Sequence, residues 1–322
     1  MADTDKDGAI FISYAWGGGL EHKEWVRQRV VGNLDWHYRV FWDRDSIGFG
    51  ASIDGAISAA LAQRPVLVFC LCDHDYLSAA ERVGSGLHRE LRMLAQMADE
   101  PGVKIVPLIL EKLNADRLPE PLAGRVYLNL EPLHSRGLDL GTALLGVADG
   151  RSQAEVKIGV NAQVAAFNLR QGVLAYLSQQ PLSLWGNGNT HEVTVHRDGL
   201  PPEQLLAPQW MWHSNEWNFM LSDETPTFCP TKGRWHWDLS TPSRGMQALG
   251  TAVLSAFFPQ LTGEDEQRVL CKGGARLASN FFRTVLVSEP FHFDMNDLVT
   301  FLINDREGYE VLAKLLDAVH RT

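Results

Sequence analysis

The sequence predicts an α/β fold whose first half is a doubly wound parallel β-sheet, followed by a second, α+β domain. Strand and helix patterns alternate through the first part of the chain. The run Val66–Leu71 is apolar throughout, as expected of a parallel strand that is covered on both faces. Near Ala148 the alternation stops, small polar residues follow, and a long helix pattern begins. We therefore assign residues 1–150 and 151–322 to two domains.

The first domain contains five runs that are typical of strands, separated by helix patterns. The strand candidates are Ala9–Tyr14, Tyr38–Trp42, Val66–Leu71, Val103–Ile109 and Arg125–Leu128, and the helix candidates are Glu21–Leu34, Ser52–Gln63 and a segment around Leu87–Leu94. Polar residues and glycines between Asp73 and Gly86 predict an irregular connection. Ligands of such sheets bind outside the carboxyl ends of the strands, so the loops there are the place to look for a site.

Glu90 is the first candidate for a functional residue. Leu87, Leu91 and Leu94 recur at helical spacing and predict a helix with one apolar face, and Glu90 lies beside that face in the first turns. A carboxylate near a helix start is often only a solvated charge, because negative charge is favourable there. The local pattern leaves the solvated and the functional interpretations open.

Composition and charge exclude several classes of function. The chain has 45% hydrophobic and 21% charged residues, as in ordinary globular proteins. A net charge of −10 argues against wrapping a nucleic-acid polymer. No apolar run approaches the roughly 18–20 residues that span a bilayer, no secretory signal is visible, and the four cysteines form no zinc pattern. We expect a cytoplasmic protein without a metal or a membrane segment.

The second domain begins with a helix pattern, Val156–Gln179, whose apolar positions nearly encircle it. Such a helix packs against several neighbours or against a second subunit. Residues 210–237 are rich in tryptophan, which is more typical of a core than of a ligand site. Further elements predicted are a strand Glu192–His196, a hairpin of Trp217–Leu221 with Arg234–Leu239, helices Ser243–Phe257 and Thr262–Phe282, a strand Thr284–Val287 and a closing helix after Asp305.

Several short segments of the first domain, in this order, resemble the TIR domain. They are Phe11–Tyr14, the Phe41–Gly50 loop leading into Ile53 and Ile57, and Tyr76–Ser78 ahead of His88–Leu91, and the match runs through nearly all of residues 7–148. The resemblance implies a flavodoxin-like sheet and, in many bacterial members, hydrolysis of NAD⁺. It places the catalytic glutamate at Glu90. It also implies that the loop after the second strand, with the apolar Ile47 and Phe49, mediates contacts between TIR domains.

A single carboxylate suits this reaction. Loss of nicotinamide from NAD⁺ passes through an oxocarbenium-like state, and the leaving group departs neutral, so it needs no acid to protonate it. The carboxylate stabilises the developing positive charge. Around Glu90 we expect Phe11, Tyr14 and Trp16 to line or stack on the nucleotide. Arg44 and Asp45 lie on the neighbouring loop. The alternatives are that Phe11 belongs to the core and that Arg44 and Asp45 make only protein–protein contacts.

The second domain is similar to the STING cyclic-dinucleotide-binding domain. The similarity rests on Asp238 before Leu239–Pro242, on Asp198–Pro201 after a strand, and on Asn280–Thr284 later in the chain. It implies a homodimer that binds a two-fold symmetric ligand. In that pocket Asp238 and Thr241 would hold a guanine edge, and Lys232 or Arg234 would close over the ligand. The usual Gly-aromatic-aromatic run is absent from the first helix, so we assign base stacking to Tyr176, with Phe167 behind it. A helix cap is the alternative role of Asp238.

Together these resemblances predict a ligand-gated NAD⁺ hydrolase of the bacterial TIR–STING type. Cyclic dinucleotide, with c-di-GMP as the expected ligand, would drive dimers into higher oligomers or filaments, and NAD⁺ depletion would serve antiviral defence. NAD⁺ is then a substrate, and no cofactor is expected. Two alternatives remain open: a TIR adaptor without enzymatic activity, and a TIR hydrolase with a different sensor.

Overall fold

The computed structural model describes residues 9–17, 19–98, 100–179, 182–187, 192–204, 227–229, 234–236, 244–282 and 291–322. The chain divides into two compact units, Met1–Val164 and Ala165–Thr322. The division falls within a long helix, Gln153–Leu177. Within the described residues, no helix combines the length and the apolar character needed to cross a bilayer.

The first unit is built on a five-stranded sheet in which every strand pair is parallel. The strands are β1 Ala9–Ser13, β2 Arg39–Phe41, β3 Leu67–Cys72, β4 Lys104–Ile109 and β5 Leu128–Asn129, in the order β2-β1-β3-β4-β5. This confirms the predicted doubly wound parallel sheet. Alternate residues of the central strands face opposite apolar layers, so the sheet is covered on both sides.

Short helices connect the strands of the first unit. They are α1 Leu20–Val26, which continues through the π-helical turn Arg27–Val31 into Gly32–Leu34, then α2 Asp43–Ser46, α3 Ile53–Ala62, α4 His74–Glu81, α5 Gly86–Met97, α6 Glu131–His134 and α7 Gly141–Ala148.

The segment between Asp73 and Gly86 was predicted not to be regular throughout, which is correct for residues 82–85, but α4 occupies most of it. The polar residue that suggested a break is the cap that starts this helix, since the Asp73 carboxylate accepts a 2.7 Å hydrogen bond from the Tyr76 backbone N–H.

β4 and β5 pair over only a short stretch at the edge of the sheet. Leu108 faces Leu128 and Ile109 faces Asn129, and the earlier residues of β4 have no partner strand on that side. A mainly apolar groove of about 520 Å³ lies beside them, lined by Lys104–Val106 and Gly124–Leu128 among others. The first half of β4 therefore borders a groove rather than a fifth full-length strand.

The second unit combines a four-stranded sheet, a separate two-stranded ribbon and four further helices among its described residues, after the helix α8, Gln153–Leu177. The strands are β6 Leu182–Asn187, β7 Glu192–Arg197, β8 Glu203–Gln204, β9 Thr227–Cys229, β10 Arg234–His236 and β11 Phe291–Phe293. The helices are α9 Arg244–Phe257, α10 Glu264–Leu277, which continues through the π-helical turn Ala278–Phe282, α11 Met295–Ile303 and α12 Arg306–Arg321.

Arg234–His236 forms a strand of an antiparallel pair, and the pairing expected for it with Trp217–Leu221 stays a prediction. β10 pairs antiparallel with β9, whereas Trp217–Leu221 and the expected strand Thr284–Val287 lie outside the described residues. β6 and β11, which pair antiparallel with each other, were not predicted from the sequence. Their pairing joins segments more than a hundred residues apart, and local pattern carries no sign of it.

Two glycines bring α9 and α10 into close contact in the second unit. A Cβ on Gly250 would lie 2.1 Å from the carbonyl oxygen of Gly274, so neither helix tolerates a side chain at the crossing. The apolar core around it includes Leu254, Phe258 and Leu277. This packing gives the second unit a core of its own.

Candidate active site

A cleft of about 740 Å³ opens at the carboxyl end of the sheet in the first unit. It is formed by the segment after β1, the start of α3, and the turn between α4 and α5. Its lining residues are Tyr14, Trp16, Gly17, Ala51, Ser52, Ile53, Asp54, Ile57, Ala79, Arg82, Ser85, Gly86, Leu87, Arg89 and Glu90. This is the edge at which open α/β sheets bind their ligands.

Glu90 lies in the wall of the cleft with little contact to solvent. The helix that carries it, α5, begins at the cap residue Ser85, whose hydroxyl accepts a 2.9 Å hydrogen bond from the His88 backbone N–H. Glu90 is only 7% exposed, and its Oε1 is buried without a hydrogen-bond partner among the described residues. The solvated interpretation of this carboxylate is therefore wrong. A buried polar atom without a partner is unfavourable, and it marks a place where a ligand can supply the missing contact.

Hydroxyl groups lie behind Glu90 at the end of β1. The Ser13 hydroxyl and the Tyr76 hydroxyl are 2.9 Å apart, and both residues are fully buried. Ser13 comes from the last position of β1 and Tyr76 from α4, so the hydrogen bond joins the sheet to a helix beside the cleft. The Ser13 hydroxyl also lowers the pKa of the Glu90 carboxyl group and so favours its ionised form.

A second buried carboxylate, Asp43, lies at the start of α2. Its Oδ1 accepts hydrogen bonds from the Tyr14 hydroxyl at 2.9 Å and from the Arg44 backbone N–H at 2.8 Å. Its Oδ2 is buried and has no hydrogen-bond partner among the residues described. Because Tyr14 lines the cleft, the hydrogen bond connects the cleft wall to the helix that follows β2.

Burial controls the protonation of both carboxylates. It raises the pKa of Glu90 to about 8, and the negative charge of Asp43 adds to this effect while the Ser13 hydroxyl opposes it. Burial likewise raises the pKa of Asp43, although hydrogen bonds from Tyr14 and the Arg44 backbone lower it. At neutral pH the empty cleft therefore holds Glu90 mainly in its neutral form. A positively charged ligand beside it would favour the carboxylate.

The structure brings together some of the aromatic residues expected at the site. Tyr14 and Trp16 line the cleft with Glu90, and the Trp16 side chain is 47% exposed. Phe11 does not, because it is buried in the core, where its ring stacks on Phe41 with centroids 5.0 Å apart. Of the two roles considered for Phe11, the core position is therefore the correct one.

Arg44 and Asp45 are exposed on α2 and do not line the cleft. The Asp45 carboxylate lies 3.4 Å from Nε of Arg27, on the helical run after β1. The segment expected as a loop is helical over Asp43–Ser46, and the loop proper follows it. On that loop Ile47 is half-buried, and the Phe49 ring is fully exposed.

The structure describes only some of the residues that the sequence predicts to bind a cyclic dinucleotide. Tyr176 packs against the core of the second unit. Its ring stacks on Phe258 with centroids 5.4 Å apart, and its hydroxyl accepts a hydrogen bond from the Gln260 side chain. Phe167 is half-buried on α8. Arg234 lies in β10, but its side chain is outside the description. Lys232, Asp238 and Thr241 lie outside the described residues altogether.

The charged rim of the cleft was not predicted from the sequence. Arg89 donates to the Asp54 carboxylate at 3.0 Å and to the Gly84 carbonyl at 2.7 Å, so it ties α3 to the turn before α5. Arg82 also lines the cleft. The sequence did contain a signal that Gly86 and Glu90 lie on the same side of α5. Glu90 follows Gly86 by one helical turn, and residues at such positions share a face.

In the described part of the chain, no group of three or more His, Cys, Asp or Glu side chains is arranged to hold a metal ion. No curated protein matches this chain. A family model does match, over residues 10–139, and its description is "TIR domain". The matched residues span the five-stranded parallel sheet and the whole lining of the cleft. Residues 10–139 of this chain are a TIR domain.

Proposed function

We propose that the TIR domain hydrolyses NAD⁺ at the bond between nicotinamide and ribose, with Glu90 as the catalytic residue. Bacterial TIR domains act either as NAD⁺ hydrolases or as signalling adaptors, so family membership alone does not choose between them. The observation that carries the proposal is the buried, unpartnered Oε1 of Glu90 in the wall of a cleft of about 740 Å³. A cleft of this size falls in the usual range for small-molecule sites. A buried carboxylate with a raised pKa in a cleft is more typical of a reactive site than of a contact surface.

The reaction divides between the substrate and the protein. The bond from C1′ of the ribose to the ring nitrogen breaks, its electron pair goes to the nitrogen, and nicotinamide leaves as a neutral molecule. Positive charge then develops at C1′ and on the ring oxygen of the ribose, and the negative charge of the Glu90 carboxylate stabilises it. Water adds to C1′ and releases its proton to solvent, which gives ADP-ribose.

The electrostatics of the cleft support a cationic substrate. With the pKa of Glu90 raised to about 8, its neutral form prevails in the empty cleft. The positive charge of the nicotinamide ring favours the carboxylate, so substrate binding would ionise Glu90 where the charge is needed. Trp16, half-exposed at the rim, offers an aromatic face for a ring of the substrate.

The proposal extends to regulation by the second unit. We infer that a cyclic dinucleotide, with c-di-GMP as the first candidate, binds a homodimer of this unit and drives assembly that activates the TIR domains. The support is the sequence pattern around Asp238 and Thr241 together with the exposed Phe49 on the loop after α2. Tyr176 enters this proposal as a residue that supports the pocket from the core, since its ring already stacks on Phe258.

The experiment is NAD⁺ consumption by the full chain, alone and with bis-guanine or bis-adenine cyclic dinucleotides. Wild type is compared with Glu90→Gln, which keeps the shape of the side chain, and with Glu81→Gln, an exposed glutamate on α4. We expect turnover in wild type and in Glu81→Gln, and a loss of at least a hundredfold in Glu90→Gln. Equal turnover in Glu90→Gln and wild type would refute the catalytic assignment. A rate of NAD⁺ consumption that does not change with either cyclic dinucleotide would refute the proposed activation by the second unit.

An adaptor role is the second candidate, and the exposed Phe49 favours it. A fully exposed aromatic ring on a loop is typical of a protein contact. If wild type assembles on stimulation and consumes no NAD⁺, the adaptor interpretation replaces the enzymatic one.

A further inference from the structure

The cleft contains two regions of opposite charge. Glu90 forms the acidic region, and it is buried and lacks a partner at Oε1. Arg82 lies at the rim, exposed, in the turn between α4 and α5. Among the residues that the structure describes, no ion pair or hydrogen bond involves the Arg82 guanidinium. The other arginine of the cleft, Arg89, is already paired with Asp54. Arg82 is therefore a cation that is available to a ligand.

The start of α5 adds positive partial charge to the region of the cleft that contains Arg82. Ser85, Gly86 and Leu87 all line the cleft. The Ser85 hydroxyl is engaged by the His88 N–H, but the N–H groups of Gly86 and Leu87 have no partner within the described part of the chain. The first N–H groups of a helix carry partial positive charge and bind anions. Gly86 has open space at its Cβ position, so a ligand can approach the backbone closely.

The spacing of Glu90 from the start of α5 follows from the helix itself. Gly86 and Glu90 are one turn apart on α5, so their Cβ positions lie about 5–6 Å from each other on one face of the helix. The ligand that fits is zwitterionic, with an electron-poor sugar and an anionic group attached to that same sugar. In NAD⁺ the nicotinamide ribose has both properties, because its 5′ carbon carries the pyrophosphate.

We propose that Arg82 and the N-terminal N–H groups of α5 bind the pyrophosphate of the dinucleotide while Glu90 faces the nicotinamide ribose. This inference rests on the proposed function for the identity of the ligand. It makes Arg82 a residue that determines specificity, since it distinguishes dinucleotides from nucleosides that lack phosphate. It also fixes the direction in which the substrate lies in the cleft. The adenosine end must extend beyond Arg82, away from Glu90.

The test separates binding from turnover. In the full chain, Arg82→Gln is compared with Arg92→Gln, an exposed arginine on α5 that lies outside the cleft. Inorganic pyrophosphate and ADP-ribose are titrated calorimetrically into each variant in the Glu90→Gln background, which prevents turnover. We expect Arg82→Gln to weaken both ligands at least tenfold, which corresponds to about 1.4 kcal/mol. We expect Arg92→Gln to leave both unchanged.

Kinetics give an independent readout in chains that retain Glu90. Arg82→Gln should raise the KM for NAD⁺ about tenfold with little change in kcat, because the pyrophosphate contact is present in the ground state and the transition state alike. Cleavage of nicotinamide riboside, which has no phosphate, should not change. Equal binding of pyrophosphate by Arg82→Gln and its background, or an equal loss in Arg92→Gln, overturns the inference. So does a failure of the background itself to bind pyrophosphate.

The two proposals fail in distinguishable ways. Arg82-dependent binding of pyrophosphate without NAD⁺ turnover in wild type refutes the enzymatic function and retains the anion site. Glu90-dependent turnover that is insensitive to Arg82 refutes only the anion site.

Discussion

The Tyr14 hydroxyl donates a 2.9 Å hydrogen bond to Oδ1 of Asp43, and both side chains are buried. Tyr14 lines the cleft and Asp43 begins the helix that precedes the exposed loop. The wall of the candidate active site is thus fixed to the segment that carries Phe49. The remaining oxygen of Asp43 has no partner among the described residues, so Tyr14 is a principal support of this buried charge.

Tyr14→Phe should destabilise the first unit by about 1–3 kcal/mol, because Oδ1 of the buried Asp43 carboxylate would keep only the Arg44 backbone N–H as a donor. The measurement is urea denaturation at pH 8. Asp43→Asn provides the comparison, since the amide oxygen still accepts from Tyr14 but carries no charge. In that background Tyr14→Phe should cost less, as hydrogen bonds to neutral groups are weaker. An equal cost in both backgrounds would show that the charge of Asp43 is not what Tyr14 stabilises.

The raised pKa of Glu90 predicts a dependence of stability on pH. In the unfolded chain a glutamate loses its proton near its ordinary pKa of about 4.3, whereas native Glu90 keeps it up to about 8. Between these values the native state binds more protons, so its free energy of unfolding falls as the pH rises. Glu90 contributes a slope of up to about 1.4 kcal/mol per pH unit in this window.

Glu90→Gln should remove that contribution. The variant should be more stable than wild type at pH 8, and the difference should shrink to zero as the pH is lowered toward 4. The measurement is the free energy of unfolding at several pH values, with the exposed Glu81→Gln as control. A difference between Glu90→Gln and wild type that stays constant over this range would contradict the raised pKa.

Phe49→Ala should change assembly without changing stability. The ring is fully exposed, so its removal deletes no packing within the chain, and we expect the midpoint of thermal unfolding to stay the same. Self-association on stimulation should fall, as measured by light scattering. Trp36→Ala is the matched control, because Trp36 is also an exposed aromatic residue of the first unit. Equal losses in both variants would indicate general surface stickiness rather than a contact made by Phe49.

Tyr176 should contribute mainly to packing in the second unit. Its ring stacks on Phe258 at an interplanar angle of 10°, and Gln260 donates to its hydroxyl. Tyr176→Ala should therefore destabilise this unit by about 3 kcal/mol, whereas Tyr176→Phe should cost at most about 1 kcal/mol because the stacking remains. Denaturation followed by near-UV circular dichroism measures both. If Tyr176→Ala retains full stability but loses cyclic-dinucleotide binding, the ring acts on the ligand directly.

The sequence was most informative where local pattern determines structure. The apolar run around Phe69 and the alternation of strands with helices predicted the parallel sheet, and the leucine spacing predicted α5. Prediction from the sequence failed where the same residue type is compatible with two local structures. Asp73 suggested a break but caps α4.

The candidate site was predictable only in part for the same kind of reason. Glu90 and Trp16 could be located from the sequence, and the structure places both at the cleft. The burial of Glu90 depends on neighbours from other elements, such as Ser13 and Tyr76, which local spacing does not reveal. Phe11 illustrates the opposite error, because an aromatic residue near the end of a strand has the same pattern whether it faces a ligand or the core.

The short pairing of β4 with β5 leaves part of a strand edge facing the groove instead of a neighbouring strand among the described residues. Along a parallel strand, backbone groups alternate between the two neighbours, and the N–H of Lys104 points toward β3, where it donates to the carbonyl of Val66. The N–H groups of Ile105 and residue 107 would therefore point toward the groove, but residue 107 is proline and has none. Between Lys104 and Pro107 this edge presents a single donor, that of Ile105. A foreign strand that entered the groove could not form a continuous ladder there, so we expect Pro107 to disfavour edge-to-edge pairing.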